Sequence, residues 1–264
     1  MMARMRIHKA LANAGVASRR AVEEMILDGR ISVNGKLVVE LPCFVDLDAD
    51  EVRVDGQRVR GHMRQNVYYL LNKPCGVVCT QSDPQGRPRA IDLIPEIRER
   101  VYCVGRLDVD STGLILLTND GELTEQLTHP RYGVLKVYVV EVDGRPTADA
   151  IARLKAGMHL EGKRTQKASV KMLRHSAQRS FLAIGISEGR NREIRRVLAR
   201  LGHRVRRLKR TAIGPVTDRG LKIGNWRRLH PAEVKALRRC GGAPGDTKAS
   251  RTRQSRRQQK GETR

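Results

Sequence analysis

Residues 105–121 read GRLDVDSTGLILLTNDG, and this stretch constrains the fold more than any other part of the chain. A loop carrying two carboxylates, Asp108 and Asp110, lies between Gly105 and Gly113 and runs straight into the apolar residues 114–117. An uninterrupted apolar run between turn residues predicts a short buried strand. Asn119 or Asp120 can then cap a helix over residues 122–128, which Pro130 ends. Loop, buried strand and helix must therefore follow one another with almost no spacer.

The acidic loop contrasts with its chain. The 264 residues hold 52 Lys and Arg against 28 Asp and Glu, a formal net charge of +24. Such an excess attracts nucleic acid largely without regard to its sequence. A protein that binds polyanions gains nothing from a carboxylate in its binding cleft unless that carboxylate has a chemical task. No apolar run reaches the ~18 residues of a membrane span, so no membrane partner is expected. The basic, Ala-rich N-terminus has its apolar stretch broken by His8, Lys9 and Asn13, which argues against a signal sequence and for a cytoplasmic protein. Cys43, Cys75, Cys79, Cys103 and Cys240 are odd in number and form no C-x-x-C pair. Neither a disulfide framework nor a metal site is expected, and no cofactor motif is found.

Residues 5–60 predict a small separate module. Ile7, Ala10, Leu11 and Ala14 recur at helical spacing before Gly15, and Ser18 can cap a second helix whose apolar face is Val22, Met25 and Ile26, ending at Gly29. Asn34-Gly35 and Asp55-Gly56 are tight-hairpin signals between short strands. Arg19, Arg20, Arg30 and Lys36 give this module a basic surface suited to phosphate contact. A polar stretch before Val67 serves as linker, and residues 67–239 form a second domain. Strands are expected at residues 67–71, 114–117, 135–142, 169–173 and 181–187, the first broken by Lys73-Pro74. Ile194, Val197, Leu198 and Leu201 predict an amphipathic helix closed by Gly202. Many strands with few helices between them imply an α+β class with a mixed, largely antiparallel sheet. Residues 240–264 are nearly devoid of apolar side chains and predict a basic disordered tail.

Read without reference to other proteins, the spacing Asp108-Val-Asp110-Ser-Thr-Gly113 imitates half of a calcium loop. Such a loop needs a bidentate Glu at its twelfth position, where Asn119 stands, and its flanks here are strand-like. Asp108 and Asp110 as plain turn residues is the remaining bland interpretation. Gly105 and Gly113 suit either tight turns or backbone close to a substrate.

The GRLD run resembles the active-site motif of the RsuA-type pseudouridine synthases, which isomerise uridine in ribosomal RNA. Two further family motifs follow in order: Lys136-Val-Tyr138, and Glu188-Gly-Arg190-Asn-Arg192-Glu-Ile-Arg195-Arg196. The segment AGVASRR…DGRISVNGK resembles an S4 RNA-binding domain. The resemblance implies Asp108 as nucleophile, Tyr138 as the tyrosine that stacks on the extracted uracil, and Arg195 as the cation holding Asp108. It also implies an S4 module of two helices and a hairpin, followed by a synthase domain needing no cofactor. Arg106, Arg190, Arg192 and Arg196 join Ser18, Arg19, Arg20, Arg30 and Lys36 as expected RNA contacts, with Arg200 beside them. Asp108 could attack the ribose anomeric carbon, attack the base, or promote a glycal intermediate.

The EGRNREIRR form and the DPQGRP loop are more similar to the large-subunit (RluB-like) branch, so the expected partner is large-subunit ribosomal RNA or a pre-ribosomal particle, met by a monomer. A small-subunit or tRNA uridine, or a non-catalytic assembly factor, are the alternatives. An aromatic content of 3% favours recognition of folded RNA through its backbone over base stacking. Removal of residues 241–264 is expected to weaken RNA binding and flatten its salt dependence while sparing the chemical step. Binding titrations of full-length and truncated protein across a salt series check this, and an unchanged slope would make the tail irrelevant to RNA.

Overall fold

Tight turns at positive φ organise the N-terminal residues. Asn34-Gly35 and Asp55-Gly56 both take left-handed backbone, with φ of 50° and 80°, then 50° and 76°, the geometry that matches the twist of two-residue hairpins. The computed structural model describes residues 4–60 and 65–240, which divide between Asn66 and Val67 into two compact units. The basic tail expected at the C-terminus lies outside the described residues from 241 onward.

In the first unit β1 (Met5–Arg6) leads into α1 (Ile7–Asn13) and α2 (Arg19–Leu27), followed by β2 (Ile31–Val33), β3 (Lys36–Leu37), β4 (Phe44–Val45), β5 (Val52–Val54) and β6 (Gln57–Val59). The sheet order is β3-β2-β5-β6, and β1 pairs with β4. Ser18 caps α2, its Oγ accepting from the Ala21 amide at 3.1 Å. Ile7, Leu11, Val22, Ile26, Ile31 and Val52 close a core of their own.

The second unit is built on one nine-stranded sheet. Its elements are β7 (Tyr68–Lys73), β8 (Tyr102–Cys103), β9 (Thr112–Thr118), α3 (Gly121–Thr128), β10 (Lys136–Asp143), α4 (Ala148–Ala156), β11 (His159–Leu160), β12 (Lys163–Arg164), β13 (Ser169–His175), β14 (Arg179–Ile186), α5 (Glu193–Arg200), β15 (Val205–Ile213), β16 (Val216–Thr217), β17 (Trp226–Arg228) and α6 (Pro231–Cys240). Strands run in the order β13-β14-β10-β15-β9-β7-β17, with β16 on β15 and β8 on β9; β11 and β12 form a separate hairpin. Every strand pairing is antiparallel except β15 with β9, so the sheet is mixed and the class is α+β.

Alternation along the strands places side chains on two covered faces. Tyr69, Leu71, Ile115, Leu117, Val140 and Ile184 meet Leu154 of α4 and Ile194, Val197 and Leu198 of α5. Leu70, Leu114 and Leu116 meet Leu123 and Leu127 of α3 and Leu237 of α6. Residues 114–117 are thus buried on both sides, which is why they read as an unbroken apolar run.

Four differences from the sequence expectations have physical reasons. Strand β7 is not broken before Lys73, because that ammonium is fully buried and donates to the carbonyls of Pro74 and Val77 at 2.9 and 2.8 Å. Strand β15 escapes a hydrophobicity pattern because Arg206, Arg207, Lys209 and Arg210 occupy four of its nine positions. Four helices, not few, cover the second sheet, since α4 and α6 have narrow apolar faces. Cys240 ends α6 and does not open the tail.

Gly113 is held against β15. A Cβ there would come within 2.2 Å of the Arg210 carbonyl oxygen, at a φ of 109°. Gly113→Ala is expected to lower the unfolding free energy by about 2–4 kcal/mol, combining left-handed strain with overpacking. Chemical denaturation measures this; a change under about 0.5 kcal/mol, the range of bland surface substitutions, would show that β15 can move away.

Candidate active site

The loop between β8 and β9 is closed by a turn, the Ser111 amide donating to the Asp108 carbonyl at 3.0 Å, and tied to the chain after β7 by the Gly76 amide on the Val109 carbonyl at 2.8 Å. These bonds present Asp108 with its side chain 27% exposed, at a cleft of about 370 Å³ whose lining includes Cys79, Asp83, Arg87, Arg106 and Asn191. Opposite the loop stands the N-terminal end of α5. Arg192 precedes its first turn in left-handed backbone, φ 48° and ψ 31°, a conformation that costs a non-glycine residue about 1–2 kcal/mol. From there its guanidinium reaches both carboxylates, Nη1 lying 3.4 Å from Asp108 Oδ2 and Nη2 3.0 Å from Asp110 Oδ2.

Arg195 takes a different partner from the expected one. Its Nη2 lies 3.2 Å from Asp110 Oδ1 and donates to the Asp110 carbonyl at 3.1 Å and Ser111 Oγ at 3.3 Å; Nη1 donates to the Val205 carbonyl at 3.3 Å. The pairing expected between Arg195 and Asp108 is therefore corrected: Arg192 meets Asp108, and Asp110 draws Arg195 to itself. The Arg195 side chain is only 11% exposed, and its buried Nε has no hydrogen-bond partner among the described residues. Burial alone would push the Asp110 carboxyl up, but its hydrogen bond from Arg192 and the charges of Arg195 and Arg192 outweigh that and hold it below the usual range.

Tyr138 is buried in β10, and sheet register carries a row of side chains across to it. Lys73 pairs with Gly113, Gly113 with Arg210, Arg210 with Tyr138, and Tyr138 with Ile184. Arg210 is buried too; its Nε donates to the Leu114 carbonyl at 2.6 Å, Nη1 lies 3.5 Å from the Tyr138 hydroxyl, and Nη2 has no hydrogen-bond partner among the described residues. Burial pushes the Lys136 ammonium down to about 8, with the Arg210 charge adding to it. Burial lowers Lys73 as well, opposed in part by Cys79, Cys75, Asp110 and Asp108. Sequence reasoning missed Asp110, Lys73 and Arg210. A buried cation in a strand carries no periodic signal, and Asp110 read as a turn residue.

The remaining predicted positions fall into two groups. Arg20, Lys36 and Arg106 are exposed. The others already have partners within the chain: Ser18 is the α2 cap, Arg19 meets His8 Nε2 at 2.8 Å, and Arg30 grips Asp55 with two bonds of 2.8 and 2.6 Å. Arg190 pairs with Glu188 at 3.2 Å and donates to the Lys163 and Arg164 carbonyls at 3.2 and 2.8 Å; Arg196 pairs with Glu161. Gly113 lies against Arg210 of β15, whose backbone occupies the space a Cβ would take.

The α5 N-terminus also carries a buried acid pair, Glu188 and Glu193. Burial pushes the Glu193 carboxyl up to about 7; the Arg190 amide on it opposes this and Glu188 reinforces it. A carboxyl raised on folding binds its proton more tightly in the native state. Its stabilising contribution is complete below the ordinary Glu pKa of about 4.3 and is lost as pH rises through about 7. Glu193→Gln is expected to lose less stability than the wild type between pH 5 and 8. Urea unfolding at both pH values measures it, and equal losses would mean that Glu193 is already ionised in the folded protein at pH 5.

Comparison with known proteins agrees with this architecture along most of the chain. A family model described as RNA pseudouridylate synthase matches residues 67–200, and one for the S4 domain matches residues 5–39. Ribosomal large subunit pseudouridine synthase B of Bacillus subtilis (strain 168) is 43% identical over 235 residues, covering 88% of this chain and 95% of the relative. The protein of that name from Pasteurella multocida (strain Pm70) is 36% identical, covering 98% of this chain and 77% of its own. A solved pseudouridylate synthase superposes with a TM-score of 0.64 at 30% identity, covering 88% of this chain and 99% of that one. With a family model matched over residues 67–200 and a relative 43% identical along 88% of the chain, this chain belongs to the RNA pseudouridylate synthase family.

Proposed function

We propose that this enzyme converts a uridine of large-subunit ribosomal RNA to pseudouridine, with Asp108 as nucleophile. The reaction breaks the N1–C1′ bond, turns the freed uracil and forms a C5–C1′ bond, while C5 gives up a proton and N1 gains one. It is an isomerisation and needs no redox partner or energy source. What it needs is an ionised carboxylate aimed at the sugar or base and a surface that receives the extruded base.

The observation that carries the assignment is the unequal sharing of two arginines by two carboxylates. Asp110 takes three guanidinium nitrogens from Arg192 and Arg195 at 3.0–3.3 Å, while Asp108 meets Arg192 at 3.4 Å beside the cleft. Asp110 thus acts as the anchor of the arginines, and Asp108 is the carboxylate available to substrate. Arg192 is 42% exposed, so an RNA phosphate can compete for it. Arg195, nearly buried, stays on Asp110 and Ser111 and holds the loop in place while this exchange occurs. Tyr138, buried at the end of the same row as Arg210, would stack against the uracil once the base enters. The large-subunit target is supported by the names of the two relatives above. In the S4 unit, exposed Arg20 and Lys36, together with Arg19 and Arg30, supply phosphate contacts around the Ser18-capped helix start.

Asp108→Asn is expected to abolish isomerisation while leaving RNA affinity nearly unchanged. Single-nucleotide pseudouridine mapping of ribosomal RNA from deletion cells, complemented with wild type or Asp108→Asn, reads out both reaction and target. A site restored by wild type alone supports the assignment; restoration by Asp108→Asn would remove Asp108 from the chemistry. A restored site in small-subunit RNA or tRNA would overturn the large-subunit target.

A further inference from the structure

A stripe of arginines runs from Arg192, which precedes the first turn of α5 with its carbonyl accepting from the Arg196 amide at 3.0 Å, to Arg196 and Arg200, one turn apart on the helix. Like charges at this spacing destabilise a helix by about 0.2–0.5 kcal/mol per pair, so the stripe costs the fold something. It begins at the carboxylates Asp108 and Asp110 and ends, eight residues or ~12 Å on, at a second cleft. That cleft has a volume of about 560 Å³ and lies between α4, the β11–β12 hairpin and the end of α5. Three arginines from three elements line it: Arg153, Arg164 and Arg200, with His159 and Gly157.

The cleft is built to stay positive. Arg200 is fixed by donating to the His159 carbonyl and Arg164 reaches the Ala156 carbonyl at 3.4 Å, so neither is neutralised by a carboxylate in these contacts. The carboxylates nearby are weakly engaged: Asp149 stands 4.0 Å from Arg153 with its side chain 78% exposed, and Glu161, which pairs with Arg196, is 74% exposed. Exposed pairs of this kind are worth about 0–1 kcal/mol, so an incoming phosphate can replace either carboxylate. Lys155 and Lys163 add charge on α4 and the hairpin. Gly157 lets the end of α4 pack directly on the chain after the hairpin, where a Cβ would strike the Thr165 carbonyl oxygen at 2.4 Å.

We propose that this cleft is a second RNA-backbone site, to which the arginine stripe of α5 leads the strand flanking the target uridine. The inference rests on the assignment of an RNA substrate above and adds where that RNA runs. Phosphate contacts of this sort hold the substrate in register and take no part in the reaction. They therefore act on affinity and its salt dependence and not on the rate of the bound complex.

The test uses the full-length protein, its Arg153→Gln/Arg164→Gln variant and an Arg153→Lys/Arg164→Lys variant, with transcribed large-subunit ribosomal RNA as probe. Binding is titrated across a salt series, and pseudouridine formation is followed in single turnovers at saturating enzyme. For the Gln variant, a roughly ten-fold rise in Kd is expected, with a log K against log salt slope shallower by about 1.5, the equivalent of two phosphates. Its single-turnover rate should stay within about two-fold of wild type, and the Lys variant should keep the wild-type slope, since Lys preserves the point charge. Unchanged Kd and slope in the Gln variant would overturn the proposal. So would an equal loss in the Lys variant, which would assign the arginines to packing. Failure of the wild type to form pseudouridine in this RNA, with binding still salt-dependent, would instead count against the large-subunit assignment.

Discussion

The pairing of β15 with β9 is the constraint on which the second unit depends. β13, β14, β10 and β15 form one antiparallel half-sheet, β9, β7 and β17 another, and two register pairs, Lys209 with Thr112 and Arg210 with Gly113, join them in parallel. A parallel join between antiparallel halves has no hairpin to set it. It relies on the backbone of one strand approaching the other, which the missing Cβ of Gly113 permits. Because Gly113 lies five residues after Asp108, the same join fixes where the acidic loop emerges. Because Arg210 also pairs with Tyr138, it sets the tyrosine two strands away. Helix α5 feeds β15 through Gly202 and packs Ile194, Val197 and Leu198 on the face that holds Tyr138. Loop, tyrosine and arginines thus converge through one short stretch of sheet.

Within that convergence the electrostatics decide which carboxylate is usable. A lone aspartate facing two arginines would be bound by both, and its oxygens would be occupied. With Asp110 two residues along, the arginines have a second acceptor, and the structure gives them mostly to it. The left-handed backbone of Arg192 is the local cost of reaching across to both acids. The buried cations Lys73 and Arg210 have no ion pair among the described residues; both donate to main-chain carbonyls.

Much of this was legible in the sequence wherever local chemistry and tertiary structure agree. The hairpins at Asn34-Gly35 and Asp55-Gly56, the Ser18 and Asp120 caps and the buried strand within residues 112–118 are each determined by a few neighbouring residues. Strand β15 was not legible, because its alternation places Leu208 and Ala212 in line with Arg210, and a buried arginine breaks any apolar count. Nor was the choice of partner made by Arg195, since a motif gives the order of residues but not which of two acids a guanidinium will meet. That choice depends on Asp110 lying closer, a fact of loop geometry. Lys73 illustrates the same limit: beside a proline it reads as a strand end, and only the carbonyls of Pro74 and Val77 make its burial tolerable.

A net charge of +24 does not by itself make a binding surface, because most of the arginines described above are already engaged within the chain. What matters is how firmly. Arg30 with Asp55, Arg196 with Glu161 and Arg153 with Asp149 are pairs between side chains that water reaches. In such places the net gain is small and salt-sensitive. Each pair holds a long side chain in one region, so that a phosphate meets a guanidinium already extended and needs only to displace a solvated carboxylate. The deep contacts differ: Arg210 on Leu114 and Arg195 on Val205 and Ser111 are bound to groups that RNA cannot replace. The protein thereby keeps two populations of arginine in one basic chain, an exchangeable outer set on solvated carboxylates and a fixed inner set that holds the acidic loop.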